Sequence, residues 1–366
     1  MMKIVFLLIP LVYLAGNGYL YWRVLQMAGT LPVWVRCVIS VLFWFVAFSL
    51  FMSIGLRDSG LPGAFLKAMY LMGSGWMVFL LYSVLLLIVF DVARAFIPSL
   101  GPALKYALPV TACLLVYGYV NYRNPKVEHV DIALDKAVDG ITAVAISDVH
   151  LGHGTGVRAL KRYVDLINGQ NPDVVFIAGD LIDNSVEPLL NEPFAEALDG
   201  LKAPMGIYMV PGNHEFISGI EACEAFLAGT RVRLLRDDVE SLPCGLQVIG
   251  RDDRSNPRRL SLEELLEKID TSRPVLVLDH QPYGLAHADS LGIDMQVSGH
   301  THRGQIWPLN WLTDAIYEQS HGYRKWENAH IYVSSGLSLW GPPFRIGTRS
   351  DMVVLKIFMR SDDFKP

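Results

Sequence analysis

Between Ile4 and Val120 the chain is dominated by four apolar segments, Ile4–Tyr21, Val33–Leu56, Tyr70–Phe90 and Leu104–Val120, each almost free of charge inside. A helix of ~20 apolar residues spans a hydrocarbon core of ~30 Å, and there it satisfies its own backbone polar groups. The pattern predicts an all-α membrane domain of four transmembrane helices over residues 1–122. Buried helices of a soluble bundle would show a polar face at helical period, and these segments do not. Trp22, Trp34, Trp44, Tyr70 and Tyr119 lie mostly near segment ends, where amphipathic rings favour the membrane interface. A cleaved signal peptide is the alternative for the first segment, since Lys3 precedes it and "LAGNG" follows. Its continuation to Tyr21 and the further apolar segments favour an anchor.

Charge divides the chain in the same place. Of 31 Lys and Arg and 36 Asp and Glu, the stretch Met1 to Val127 holds nine basic and two acidic residues, and the remainder holds 22 and 34. The acidic part argues against nucleic acid as a partner, because such binding relies on clustered Lys and Arg. With the N-terminus inside, the inner flanks would carry Lys3, Arg57, Lys67, Arg123 and Lys126, and the outer loops Arg23, Arg36, Arg94 and Lys105. That slight inward bias and the even number of segments place the C-terminal domain, as an expectation, on the cytoplasmic side. Cys37, Cys113, Cys223 and Cys244 form no Cys-x-x-Cys pair and fit a reducing compartment. "NYRNPKVEHV" after the last segment looks like a linker, taken as residues 123–135, and 136–366 reads as a second domain.

In that second domain short apolar runs stop at polar clusters. "ITAVAI" stops at "SDVHLG", "DVVFIA" at "GDLID", "GIYMV" at "PGNHE", "PVLVL" at "DHQP" and "IDMQV" at "SGHTH". Such runs read as strands buried on both faces. The stretches between them, such as "VRALKRYVDLING" and "GIEACEAFLAG", read as helices, so the domain is α/β and its site lies outside the carboxyl ends of the strands. Those ends hold Asp148, His150, Asp180, Asn213, His214, His280, His300 and His302. Any one of these is more simply a turn residue; together on one edge they exceed what a core or a set of turns requires. Imidazole and carboxylate oxygen suit divalent Mn, Zn, Fe, Co or Ni, and a carboxylate can bridge two such ions. A pair of ions ~3.5 to 4 Å apart is the arrangement that neutralises phosphate charge in an in-line displacement.

The set "DVH", "GDLID", "GNHE", "LDHQP" and "GHTH", in that order, resembles the calcineurin-like metallophosphoesterases over about Ile141 to His302. The resemblance implies a four-layer α-β-β-α sandwich of two mixed sheets, with "LQVIG", "HIYVSSG" and "MVVLKIF" completing the second sheet. It also implies that Asp148, His150 and His302 ligate one metal, that Asn213, His280 and His300 ligate another, and that Asp180 bridges them. His214 would be the general acid facing the leaving group, oriented by Asp183. Many relatives read "GHTHGG" where this chain has Arg303. Arg303 is therefore either a substrate-phosphate contact or a rim salt bridge, and His153 in "LGHGTG" is a candidate substrate contact.

The expected function is a membrane-anchored dinuclear-metal phosphoesterase cleaving a phosphodiester or pyrophosphate, with a lipid-linked substrate suggested by the anchor and by the apolar "IWPLNWL" after the last ligand. The likeness is to a bacterial branch of phosphodiesterases and UDP-2,3-diacylglucosamine pyrophosphatases, which implies a multi-pass protein of the inner membrane. The alternatives are a phosphomonoesterase on soluble substrates, and a membrane sensor or transport-coupled protein. The scarcity of charge within the spans, apart from Asp91 and Arg94 near one end, argues against the last.

Overall fold

The computed structural model describes residues 2–56 and 59–360, with side chains from Pro10 onward; Arg57, counted above among the inner flanks, lies outside them. It divides into a helical unit up to Val120, which includes Gly341–Phe344, and a larger unit from Asn121.

Four long helices make up the N-terminal part: α1 (Met2–Met27), α2 (Val33–Gly55), α3 (Gly63–Phe96) and α4 (Leu104–Arg123). Pro32 and Pro62 stand directly before α2 and α3, where the helix has no donor to lose. The expectation of four transmembrane helices is corrected here: among the described residues two helices, α2 and α3, are long and apolar enough to cross a membrane, each with a mean hydropathy of 2.4. Among the side chains described, from Pro10 onward, α1 and α4 are more polar than these two. Helix α1 carries Asn17, Arg23 and Gln26, and α4 carries Lys105, Pro109, Thr111 and Asn121. Some of these groups are satisfied within the helical unit. Asn17, with no exposure, accepts a hydrogen bond from the Trp76 indole at 2.9 Å and donates to the Tyr13 carbonyl at 2.9 Å. Arg23 pairs with Asp91.

The outer surface of this unit is apolar, with Val12, Trp34 and Val41 largely exposed, the reverse of a soluble bundle. Helices α2 and α3 pack through a small residue: a Cβ on Gly73 would stand 2.2 Å from the Leu50 backbone nitrogen.

Among the described residues, twelve strands build the larger unit: β1 (Lys126–Leu134), β2 (Ile141–Ile146), β3 (Val174–Ala178), β4 (Ile207–Val210), β5 (Val232–Leu234), β6 (Asp238–Ser241), β7 (Gln247–Gly250), β8 (Val275–Leu278), β9 (Met295–Ser298), β10 (Gly322–Lys325), β11 (His330–Val333) and β12 (Asp351–Met359). They form two six-stranded sheets, ordered β1-β12-β2-β3-β4-β5 and β10-β11-β9-β8-β7-β6. Strands β2 to β5 are parallel, as are β7, β8, β9 and β11; β12 runs antiparallel to β2, and β6 and β10 run antiparallel at the edges of the second sheet.

The inner faces meet in a core that includes Ala143, Ala145, Phe176, Leu276, Val297, Tyr332 and Leu355. The alternate residues Val144, Ile146, Val175 and Ile177 face a second core, which takes Leu160, Tyr163, Val164 and Ile167 from the helix Val157–Asn168 at helical spacing. The helices Leu262–Leu266 and Leu285–Ser290 cover the other sheet. This is the expected α-β-β-α layering, and it explains why the strands read as unbroken apolar runs: both faces are buried.

Two local expectations are corrected. "MVVLKIF" lies in β12, which joins the first sheet by pairing Val353 to Ile357 with β2. The stretch read as a linker contains β1, paired along its whole length in parallel with β12 from Lys126–Asp351 to Leu134–Met359. Its alternating exposure marks it as an edge strand, with Ile132 and Leu134 turned into the core.

The close α2–α3 approach yields a prediction. Gly73→Leu should lower the thermal midpoint of the detergent-solubilised chain, by an amount in keeping with an overpacking cost of about 1–3 kcal/mol. Gly18→Leu, where a Cβ meets nothing within 4 Å, should not. Equal midpoints in a melting curve would contradict the packing described.

Candidate metal centre

Each side chain singled out from the sequence follows the carboxyl end of a strand. Asp148 and His150 follow β2, Asp180 and Asp183 follow β3, and Asn213 and His214 follow β4; from the other sheet, His280 follows β8, and His300 and His302 follow β9. The chain turns abruptly at each exit. Asp148, His150, Asp180, His300 and His302 all have φ between 47° and 71°, a left-handed region that L-residues with side chains seldom adopt. Glycines allow the loops to close in. A Cβ on Gly299 would stand 2.4 Å from Asp148 Oδ2, and one on Gly212 would stand 2.2 Å from Asp180 Oδ1.

The result is two adjoining groups. In the first, His150 Nε2 and His302 Nε2 face each other at 3.2 Å, and Asp148 Oδ1 lies 3.3 Å from His302 Nε2 and 3.8 Å from His150 Nε2. In the second, His300 Nδ1 is 2.8 Å from Asn213 Oδ1, and Asp180, His280 and His300 each offer a ligand atom within 4.8 Å of the others. Asp180 Oδ2 lies 3.1 Å from His280 Nε2 and 3.8 Å from His150 Nε2, so one carboxylate oxygen faces both groups. Its other oxygen accepts the His214 N–H at 2.9 Å.

Two of the outward nitrogens, on His280 and His150, are held from behind. The His280 Nδ1–H donates to the Ala178 carbonyl at 2.7 Å, and His150 Nδ1 faces Asp183 at 3.4 Å, which leaves each Nε2 for the centre. Asp183 Oδ1 also lies 3.2 Å from His214 Nδ1, and the His214 ring stands edge-on to His150 at 4.5 Å between centroids.

The protein alone leaves this donor set frustrated. Burial opposes charge throughout, yet Asp180 holds the His280 ring well above the usual imidazole range, and His280 holds the Asp180 carboxyl well below the carboxylate range. The Asp183 hydrogen bond raises His214 in the same way. Burial and the neighbouring His280 push His300 down to about 4, while burial and His150 push His302 well down. Buried nitrogens that face one another without filling their hydrogen-bonding capacity, beside two carboxylates, suit divalent cations, which coordinate imidazole and carboxylate together. His280 Nε2 and His302 Nδ1 are among the buried atoms without a hydrogen-bond partner.

The other expected residues are placed differently. His153 is exposed on the turn after Leu151 and meets none of these groups among the described residues. Arg303, also left-handed at φ 49°, follows His302 but turns to a neighbouring cavity.

Several positions escaped the sequence reading. Glu215, in "GNHE", is buried without exposure and accepts the N–H groups of Asp180 at 3.0 Å, Ile182 at 2.8 Å and Gly212 at 2.7 Å, which fixes the β3 and β4 exits to each other. Burial, with Asp180 beside it, pushes its carboxyl up to about 7. Arg345 is a wholly buried arginine whose guanidinium donates to the carbonyls of His302, Ser335, Gly336 and Ser338. At the rim, Trp340 stands 6.3 Å from His214 and Tyr317 stands 6.3 Å from His300. Only the Glu of "GNHE" had a sequence signal, its place within a quoted motif.

A two-sheet α/β sandwich with paired His and Asp groups at one lip defines a class of metal-dependent hydrolases. Residues 141–304 match the model of the family described as calcineurin-like phosphoesterase. A Helicobacter pylori protein described as an uncharacterized metallophosphoesterase is 31% identical over 278 residues, 73% of this chain and 74% of that one. A Danio rerio "transmembrane protein with metallophosphoesterase domain" is 35% identical over 279 residues, 68% of this chain and 62% of that one. The crystal structure of a 5'-nucleotidase precursor from Thermus thermophilus superposes with a TM-score of 0.35 at 20% identity, over 56% of this chain and 49% of that one. This chain belongs to the calcineurin-like phosphoesterases, a family of metal-dependent phosphoester hydrolases.

Glu215 supplies a test of the scaffold. Glu215→Gln places an amide N–H₂ where backbone donors converge, at about 1–3 kcal/mol for buried groups left unpaired. The variant should melt earlier and bind Mn²⁺ more weakly, because Asp180 loses its backbone anchor. Wild-type melting and metal binding would show that Glu215 does not position the site.

Proposed function

We propose that this chain is a membrane-anchored phosphoesterase using two divalent ions, and that it hydrolyses a phosphodiester or pyrophosphate bond in a lipid-linked substrate. The observation that carries the two-ion reading is Asp180 Oδ2, set within 3.1 Å of His280 and 3.8 Å of His150, so that one carboxylate serves both groups. On this reading Asp148, His150 and His302 would hold one ion, Asn213, His280 and His300 the other, and Asp180 would face both. When bound, such a pair would neutralise phosphoryl charge and lower the pKa of a coordinated water toward neutrality. The chain's own residues do the rest. His214, held by Asp183 at 3.2 Å, protonates the departing oxygen, and its proximity to the carboxylate favours the charged ring needed for that step.

Support for a lipid-linked substrate comes from the surface beside the site. The helix Leu309–Ile316 begins soon after His302 and exposes Leu309, Trp311, Leu312 and Ile316, with Trp307 beside them. Exposed apolar side chains grouped on one short helix suit contact with acyl chains or the bilayer interface. Membrane association is supported by α2 and α3 and by relatives whose names call them transmembrane proteins. An even number of crossings, two as much as four, returns the chain to its starting side, in keeping with a catalytic domain at the cytoplasmic face of a bacterial inner membrane. A periplasmic signal from a C-terminal reporter fusion would overturn that orientation.

Asp180→Asn and His280→Ala should each lose most bound metal and nearly all turnover of bis-p-nitrophenyl phosphate. Full activity with normal metal content in either one would remove the assignment. His214→Ala should keep its metal, measured by elemental analysis, and lose rate by ~10² to 10⁴ with an alkoxide leaving group but much less with nitrophenolate, which needs no proton. Equal losses would exclude the acid role.

The lipid reading has its own test: Leu312→Glu should slow hydrolysis of a lipid phosphodiester in vesicles by about 10-fold, since an exposed charge opposes interfacial insertion. Retained vesicle turnover would detach this helix from substrate binding.

A further inference from the structure

Next to the metal centre, at the open edge of the sandwich between β1 and the β10–β11 hairpin, lies a cavity of about 420 Å³. Its wall includes Arg303, Arg349, Lys126, His321, Tyr332 and Asp351. The acids are already engaged. Glu128, also in the wall, pairs with Lys126 at 2.6 Å, and Asp351 accepts the Ser334 hydroxyl at 2.6 Å and the Ser335 N–H at 3.1 Å. The arginines are not. Neither Arg303 nor Arg349 makes an ion pair among the described residues, and Arg303 Nε is buried without a hydrogen-bond partner.

A second observation points into the same space. Tyr332 is 3% exposed, and its hydroxyl, although it faces Asp351, completes no hydrogen bond of ordinary geometry. A buried hydroxyl without a well-aligned acceptor gains when a bound ligand supplies one.

The backbone adds a third. Arg303 is held at φ 49°, ψ 37°, a conformation that glycine adopts freely and that costs another residue of order 1–3 kcal/mol. Strain of that size at a position one residue from His302 is explained if the guanidinium is needed where it points.

We propose that this cavity is a second anion subsite, in which Arg303, Arg349 and the Tyr332 hydroxyl hold a phosphate-type group of the substrate other than the one being cleaved. The inference rests on the phosphoesterase reading and narrows it: the substrate is a phosphoester that carries an additional anionic group. Arginine presents planar, paired donors to phosphate oxygens, and a phenol adds a third donor on the buried side.

Two measurements on the full-length chain in detergent test it. In the first, metal is removed with a chelator and binding of inorganic phosphate is followed by calorimetry. The native chain should bind, and Arg349→Gln, Arg303→Gly and Tyr332→Phe should each weaken binding, the arginine changes by about 10-fold, as expected for loss of a charge-assisted contact. No binding by the native chain, or unchanged binding in Arg349→Gln, whose exposed side chain is least able to disturb folding, overturns the subsite.

In the second, the Mn²⁺-loaded chain is given thymidine 5'-(p-nitrophenyl phosphate) with or without a 3'-phosphate. The 3'-phosphate should lower KM, and Arg349→Gln should reduce the ratio of kcat/KM values for the two substrates by about 10-fold. If phosphate binds the metal-free chain but the native ratio is one, the cavity takes a free anion and the substrate assignment falls. Turnover of neither ester would refute the phosphoesterase reading, while the calorimetry would still decide the subsite.

Discussion

The candidate centre depends on a backbone constraint: at two of the exit loops, two candidate ligand side chains must leave in the same direction although they are only two residues apart. Asp148 and His150 do so after β2, and His300 and His302 do so after β9. An extended strand would serve, since alternate residues share a face, but these residues lie past the strand ends. The loops instead alternate. His300 and His302 are left-handed at φ 71° and 47°, while Thr301 between them is right-handed at φ −74°, ψ −23°. The strain in such residues is of order 1–3 kcal/mol each, and packing around them must fix it in place. Asp148 accepts the His300 N–H at 3.0 Å, so the strained turn of one sheet is tied to the strained turn of the other.

That tie explains why the surroundings are so particular. Gly299 has no side chain because Asp148 occupies the space, and Gly212 has none because Asp180 does. Glu215 clamps the β3 and β4 exits by accepting three backbone N–H groups, while Arg345 gathers the carbonyl of His302 with those of residues 335, 336 and 338. Both are buried ionisable side chains whose service is to the backbone. A neutral residue of similar shape could fill either volume, but it could not satisfy so many convergent donors or acceptors.

The strand-end residues were legible in the sequence because they come in a repeated local form, an apolar run closed by Asp, Asn or His, and that form survives whatever the sheets do. Sheet membership was not. "MVVLKIF" is as apolar as any strand of the second sheet, and only its pairing with β2, some two hundred residues earlier in the chain, assigns it to the first. Likewise "KVEHVDIAL" reads as polar linker because an edge strand turns Glu128, His129 and Asp131 outward or to a cavity, and its register with β12 is invisible locally. Arg345 carries no signal at all: a lone arginine in "PPFRIG" looks solvated until the carbonyls that surround it are known. The membrane part failed in the opposite direction. Length and apolarity suggested four spans, but α4 is diluted by Lys105, Pro109, Thr111 and Asn121, and among the side chains described, from Pro10 on, α1 carries Asn17 and Arg23.

The loop after β9 concentrates more chemistry than any other part of the chain. Within Gly299–Ile316 it supplies two strand-end histidines, the strained Arg303 beside the cationic cavity, and the helix with its exposed Trp311 and Leu312. These features differ in what they attract: imidazoles a metal, guanidinium an anion, indole and leucine a hydrocarbon surface. A substrate with a scissile phosphoryl group, a further phosphate and an acyl portion would meet all three in sequence along one stretch of backbone. A soluble monoester would use the first alone and leave the strain at Arg303 and the exposed apolar helix without a purpose. That asymmetry is the physical ground for preferring a large amphiphilic phosphoester over a small one, since conformational strain and exposed apolar area both cost stability in the free protein and are offset when a ligand uses them.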